Sequence, residues 1–210
     1  MSPPSDQVMI NTDLLLQKGA IHRHTSAGEI IFNEGAPATF YYQLIAGRVR
    51  WSHFDANGKE VLHRIVEAGE AFGELPLFDG EPYAASAVSD SACTILRLGA
   101  PSFHQLLAEY PDIHMAFNKA LATQLRFKVF LFNTLAKNNP QAAIVDVIYY
   151  LNQHKELICP NCNRLMITRQ QLANMMGMRV ETVIRAIKQL QQEDKLCIVK
   201  GKVFLPAAEA

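Results

Sequence analysis

No stretch of the sequence approaches the ~20 consecutive apolar residues that a transmembrane helix needs, so a helical membrane protein is excluded as a class and no membrane partner is expected. The start, MSPPSDQVMINTDLLLQKG, lacks a basic segment followed by a long apolar run, which argues against a secretory leader and points to the cytoplasm. Cysteine is scarce. Cys93, Cys159, Cys162 and Cys197 are the only four, too few and too scattered for a disulfide framework, so any thiol chemistry is local. Net charge is also missing, at +0, but the balance is uneven along the chain. Residues 1–139 carry 11 Lys/Arg against 14 Asp/Glu, and residues 140–210 carry 9 against 6. A modestly basic C-terminal segment is a weak footprint for DNA, because neutralised phosphates supply most non-specific affinity.

At 210 residues the chain suits two compact domains. Short β-branched and aromatic runs at residues 29–32, 41–44, 49–53, 61–66 and 93–98 alternate with glycine-marked turns, the pattern of a many-stranded antiparallel sandwich or barrel. Asn57-Gly58 supplies the positive φ angles of a hairpin tip. From Pro111 to Ala136 no glycine or proline interrupts, which predicts one long helix. Leu121, Leu125, Phe132 and Leu135 are spaced 4, 7 and 3 apart, with Lys128 between them, like a heptad seam for a symmetry mate. Phe117, Phe127, Phe130 and Leu131 lie off that seam and need other cover. Asn138-Asn139-Pro140 ends this helix and opens the next, with Asn139 as N-cap.

The segment TRQQLANMMGMRVETVIRAIKQLQQEDKL begins with a capping box, Thr168 and Gln171. A short amphipathic helix follows, carrying Leu172, Met175 and Met176. Met176-Gly177-Met178 makes a turn. A second helix puts Val183, Ile187 and Leu190 on one apolar stripe and leaves Arg179, Glu181, Thr182, Arg185 and Lys188 outward. Helix, glycine-containing turn, helix is the pattern that places a second helix in the DNA major groove. Lys195 to Leu205 reads as strand, turn, strand, a wing.

On TRQQLA, VETVIR, FGELPLF at residues 72–78 and the PDI at Pro111, the chain resembles the CRP/FNR family of transcription regulators over about residues 20–206. The resemblance implies an α+β protein. Its parts would be an N-terminal double-stranded β-helix (a jelly-roll-like β-roll) for sensing at 1–110, a dimerisation helix at 111–138 and a winged helix-turn-helix at 139–210. It implies a homodimer on an inverted repeat with TGA and TCA half-sites. Glu181 and Arg185 would read bases, and Thr168, Arg169, Arg179, Thr182 and Lys188 would touch the backbone. A carboxylate can accept from cytosine N4, and arginine can bond guanine bidentately. The bland alternative for Glu181 and Arg185 is an i,i+4 surface ion pair. Ile184 stands where the branch with Val-Glu-Thr commonly has serine, so the outer bases are not assigned. RNA polymerase is an implied partner through residues 155–164 and the hairpin at 52–60.

FGELPLFDGEPYAASAVS resembles the phosphate-binding cassette of cyclic-nucleotide domains. Gly73, Glu74 and Leu75 match, but Tyr83-Ala84 stands where an Arg-Ser pair should hold the phosphate, so cyclic AMP is not the expected effector. Lys128 stands where a hydroxyl would meet the base, and Glu74 reads as a hydrogen-bond acceptor within a turn. No N-terminal cysteine cluster can hold an iron-sulfur centre. Haem could use His22, His24, His53, His63, His104 or His114, whose spacing singles out none. Cys159-Pro160-Asn161-Cys162 is a knuckle that suits zinc if His154, Cys197 or others join, or a redox pair, or a plain hairpin tip. No enzyme is expected, since Cys-Pro-Asn-Cys does not follow a strand in a βαβ unit as a thioredoxin-like motif would. The competing reading is a small-molecule-binding β-roll without specific DNA activity.

Overall fold

The computed structural model describes residues 10–137 and 139–206. The opening MSPPSDQVM and Asn138, part of the expected helix stop, lie outside the described residues. The chain divides into two compact units, Met1–Leu125 and Arg126–Ala210, with the boundary inside the long helix.

The first unit opens with helix α1 (Thr12–Gln17), capped by the Asn11 side chain, which accepts from the Asp13 and Leu14 N–H groups. Eight strands follow: β1 (Ile21–Thr25), β2 (Ile30–Phe32), β3 (Phe40–Ala46), β4 (Arg48–Phe54), β5 (Glu60–Glu67), β6 (Ala71–Phe72), β7 (Ser86–Ser89) and β8 (Cys93–Gly99), with helix α2 (Leu75–Asp79) between β6 and β7. They form two four-stranded antiparallel sheets, ordered β1-β8-β3-β6 and β2-β7-β4-β5. This is the expected β-roll. Five strands follow the β-branched runs. The other three were hidden: β1 is mostly polar and exposed, β6 has two residues, and β7 (SAVS) is buried but built of small side chains.

The β4–β5 hairpin differs in detail from the sequence reading. Gly58 has a φ of 75° while Asn57 is not left-handed. Instead Asp55 organises the tip, its carboxylate accepting from the N–H groups of Asn57 (2.8 Å) and Lys59 (2.9 Å). The Asp55 side chain mimics a backbone turn, so only one residue needs positive φ.

Between the sheets lies a core of Ile31, Leu44, Val49, Val66, Ile95 and a ring stack in which Phe32 lies 3.8 Å from Tyr83 and 5.5 Å from Tyr42. The outer face of the first sheet packs on α1, on α3 (Ala100–Glu109) and on the start of α4 (Pro111–Leu135). Here Phe103 stacks on Tyr41 at 4.8 Å and meets Phe117 edge-on at 5.5 Å. Tyr41, Phe103 and Phe117 are essentially fully buried, which secures the first turns of α4 to the β-roll.

The second unit contains the rest of α4, α5 (Pro140–His154), α6 (Arg169–Met175), α7 (Val180–Gln192) and the two-stranded hairpin β9 (Cys197–Val199) and β10 (Lys202–Phe204). Asn139 is the N-cap of α5, accepting from the Ala142 N–H at 3.1 Å, with Pro140 in the first turn. Ile144, Val147, Ile148 and Leu151 of α5 are buried with Leu172 and Ala173 of α6 and with Val183, Ile187 and Leu190 of α7. Phe127 and Phe130 find their cover on Tyr150, at 5.2 and 4.4 Å between ring centroids.

Candidate DNA-reading face and effector cleft

The helix-turn-helix is fixed locally. Thr168 accepts from the Gln171 N–H and the Gln171 side chain accepts from the Thr168 N–H, both at 3.1 Å, completing the predicted capping box. Gly177 adopts a φ of 64°, and the Met178 N–H returns to the Ala173 carbonyl at 2.9 Å. That closes the turn between α6 and α7. With Val183, Ala186, Ile187 and Leu190 inward, Glu181, Arg185 and Lys188 are exposed on the opposite face of α7, Arg179 is exposed at its N-cap and Thr182 is half-buried. Glu181 and Arg185 make no ion pair with each other, nor any other ion pair or hydrogen bond among the described residues. The i,i+4 surface pair is therefore not formed. Their donors and acceptor face water.

The wing turn is Lys200-Gly201, with φ values of 49° and 75°, a two-residue turn with both residues left-handed. Arg169, at the start of α6, donates from Nη1 to the Gly201 carbonyl at 2.8 Å, which ties the wing to the helix pair. Thr168 is exposed beside it. Lys200 and Lys202, both exposed, add positive charge to the wing. The sequence reading missed them, although a basic residue at a turn between two short strands was the available signal.

In the first unit a shallow cleft opens beside the second sheet. Gly73, Glu74, Leu75, Tyr83 and Ala84 line it as expected, joined by Trp51, Arg64 and Gln124, which the sequence reading missed. Lys128 is not among its lining; its ammonium sits 5.9 Å from the Phe127 ring. Gly73 needs its φ of 72°, and a Cβ there would come within 2.9 Å of the Phe32 ring. Glu74 is 4% exposed. It occupies the N-cap position of α2 but makes no side-chain cap bond, so it is not the turn acceptor the sequence suggested. Arg64 pairs with the buried Glu70 and donates to the Ala71 carbonyl at 3.5 Å. The Trp51 indole N–H is buried with no acceptor among the described residues. Burial raises the Tyr83 hydroxyl well above the ordinary phenol range, helped by neighbouring Tyr42, so Tyr83 stays neutral. The lining of the cleft thus brings together a carboxylate, a guanidinium and aromatic surface.

The histidines serve local contacts. His53 Nδ1 lies 2.7 Å from Glu34, His104 Nε2 2.7 Å from the Leu77 carbonyl, His63 packs on Trp51 and His114 on Phe78. His22 and His24, two apart on β1, stack at 6.5 Å. Among the described residues no group of three or more His, Cys, Asp or Glu converges on a point where a metal could bind, so Cys159 and Cys162 gain no further ligand from His154 or Cys197.

Along α4, Met115, Leu125, Val129 and Phe132 are exposed at 66, 64, 52 and 73%. With exposed Asn118, Ala122 and Ala136 they fall on one 3-4 repeat. Leu125 and Phe132 belong to the predicted seam, whereas Leu121 and Leu135 are half-buried. No helix among the described residues is long and apolar enough to cross a membrane.

Two family models match the chain: the cyclic nucleotide-binding domain over residues 22–110 and the Crp-like helix-turn-helix domain over residues 144–210. The chain therefore belongs to the CRP/FNR family of DNA-binding transcription regulators, and it is not an enzyme. It is 30% identical, over 92% of its length and 86% of the relative's, to the cAMP-activated global transcriptional regulator CRP of Haemophilus influenzae. Among solved structures, FixK2 of Bradyrhizobium japonicum superposes with a TM-score of 0.75 at 19% identity, covering 90% of this chain and 93% of that one. The c-di-GMP responsive regulator CLP of Xanthomonas campestris gives 0.74 at 22% identity, covering 93% of this chain and all (100%) of that one. These last two likenesses concern the fold.

Proposed function

We propose that the chain acts as a cytoplasmic homodimer on an inverted repeat with TGA and TCA half-sites, α7 lying in the major groove. Arg185 bonds a guanine, Glu181 accepts from the cytosine of a G·C pair, and Thr168, Arg169, Arg179, Thr182 and Lys188 hold the backbone. The observation that carries this reading is the polar face of α7, where Glu181 and Arg185 stand exposed and uncommitted while the opposite stripe is buried. Each good base contact is worth roughly 1–3 kcal/mol of discrimination. The functional division follows the sequence: sensing at 1–110, pairing at 111–138 and DNA reading at 139–210. Residues 155–164 and the hairpin at 52–60 face RNA polymerase.

The cleft around Gly73 and Glu74 is the effector site in this reading, and cyclic AMP is not its ligand. Tyr83 is spent on the aromatic stack with Phe32 at 3.8 Å, Ala84 has no hydroxyl, and the Arg64 guanidinium is engaged by Glu70. A fitting ligand presents donors to Glu74 and apolar surface to the aromatic lining. The iron of a haem finds no selected histidine there, and the alternative of a β-roll module without specific DNA activity leaves the exposed face of α7 unexplained.

The test is a binding titration of wild type, Arg185→Ala and Arg169→Ala on a TGA/TCA repeat and on scrambled duplex at two salt concentrations. Arg185→Ala should weaken binding about tenfold to a hundredfold per half-site and relax preference at one base. Arg169→Ala should weaken both duplexes alike and flatten the salt slope by about one unit. Full sequence preference in Arg185→Ala would refute the assignment.

A further inference from the structure

The Cys159–Cys162 hairpin belongs to none of the surfaces that read DNA or line the cleft. Its strands meet at the Ile158–Leu165 bridge, and its tip is closed by the Cys159 N–H on the Arg164 carbonyl (2.8 Å) and by the Asn163 N–H on the Cys159 carbonyl (2.9 Å). Asn163 follows the pair with a left-handed φ of 52°. Cys159 and Cys162 stand three residues apart in this one turn, which the two backbone bonds close. The neighbouring Cys162 thiol, then the Asn161 and Cys162 backbone N–H groups and the Arg164 charge, hold the Cys159 thiol below the ordinary cysteine range. Cys159 is half-exposed and Cys162 exposed. The two thiols therefore share one tight turn of the chain, and solvent reaches both.

The other cysteines are separated from the pair. Cys93 is buried in β8, its thiol donating to the Arg48 carbonyl at 3.2 Å. Cys197 pairs with Phe204 and Phe204 bridges Arg164. That puts Cys197 about three strand spacings, on the order of 14 Å, from Cys159.

We infer that Cys159 and Cys162 form a thiol modification site: Cys159 is the nucleophile toward peroxides, and Cys162 resolves the product into an intramolecular disulfide. In the first step the Cys159 thiolate attacks a peroxide oxygen and the O–O bond breaks. The sulfur is oxidised to sulfenic acid, and the leaving alkoxide or hydroxide takes up a proton. In the second step the Cys162 sulfur attacks the sulfenic sulfur. The S–S bond forms, the S–O bond breaks, and the hydroxyl leaves as water with the Cys162 proton. Reactivity follows thiolate character and access, and a neighbouring resolving thiol favours the disulfide over further oxidation.

Full-length reduced protein is treated with hydrogen peroxide and analysed by peptide mass spectrometry. Wild type should lose two hydrogens, in the peptide that contains both Cys159 and Cys162, and a dithiol reductant should restore them. In Cys162→Ser, dimedone should trap a sulfenic acid at Cys159 at least about tenfold faster than at exposed Cys197. In Cys159→Ser, Cys162 should react no faster than Cys197. Circular dichroism checks that each variant is folded, and Cys197→Ser should behave as wild type. Labelling of Cys159 no faster than Cys197 in Cys162→Ser would overturn the proposal. So would a disulfide through Cys197, or stoichiometric zinc bound to the reduced protein that both substitutions release.

Discussion

Truncating Leu125 to alanine is expected to weaken self-association by a calculable amount. Leu125 is 64% exposed within one chain, and burying a whole leucine side chain is worth roughly 1.5–3 kcal/mol. Two-thirds of that is about 1–2 kcal/mol, and a twofold interface counts it twice, giving ~2–4 kcal/mol per dimer. At about 1.4 kcal/mol per tenfold, Leu125→Ala should raise the dimer dissociation constant by ~30-fold to ~700-fold. Sedimentation velocity across a dilution series reads this directly. Leu16→Ala, on α1 and 40% exposed, is the matched control and should leave association unchanged. Val129→Ala should weaken the dimer more than Leu121→Ala, because Val129 is exposed on the stripe and Leu121 is half-buried in its own chain. Leu121→Ala should instead lower thermal stability. Wild type remaining at single-chain mass at tens of micromolar, or Leu125→Ala dimerising like wild type, would refute the reasoning.

Removing the return arm of the capping box with Gln171→Ala should destabilise the second unit by about 1 kcal/mol, seen as an earlier urea midpoint. Lys200→Ala and Lys202→Ala should each reduce the salt slope of DNA binding by up to about one unit while leaving sequence preference intact, measured on the same pair of duplexes. Phe103→Ala, deleting a ring stacked on Tyr41 and edge-on to Phe117, should cost ~3–5 kcal/mol by chemical denaturation. The double substitution Tyr83→Arg with Ala84→Ser restores a phosphate-binding pair but removes the ring stacked on Phe32; thermal melts should show a protein less stable than wild type.

The second unit was legible because its determinants are local. A capping box spanning four residues, one glycine turn and an apolar stripe at Val183, Ile187 and Leu190 define the helix pair without knowledge of anything distant. The cleft was only half legible. Gly73 to Leu75 and Tyr83-Ala84 sit in one segment, but Trp51, Arg64 and Gln124 arrive from β4, β5 and α4. Which face each strand residue takes depends on register, and a one-residue slip reverses it. The long helix shows a third case. Its apolar residues lie on more than one side, so two heptads one residue apart fit the sequence, and burial of Phe117, Leu131 and Thr134 decides which stripe is left outside.

The Arg169 bond to the Gly201 carbonyl joins residues 32 apart in sequence, and it has a consequence for how the regulator meets its operator. A loose wing would have to be immobilised by each operator it visited, with a loss of conformational entropy every time. Here the wing and the helix pair are clasped before any duplex arrives, so that loss is already part of folding. On the proposed inverted repeat, each half-site would then meet a preshaped surface, and misfit would be absorbed by the bending and twisting of the DNA. Selectivity would then extend to base pairs the protein never touches, through their stiffness.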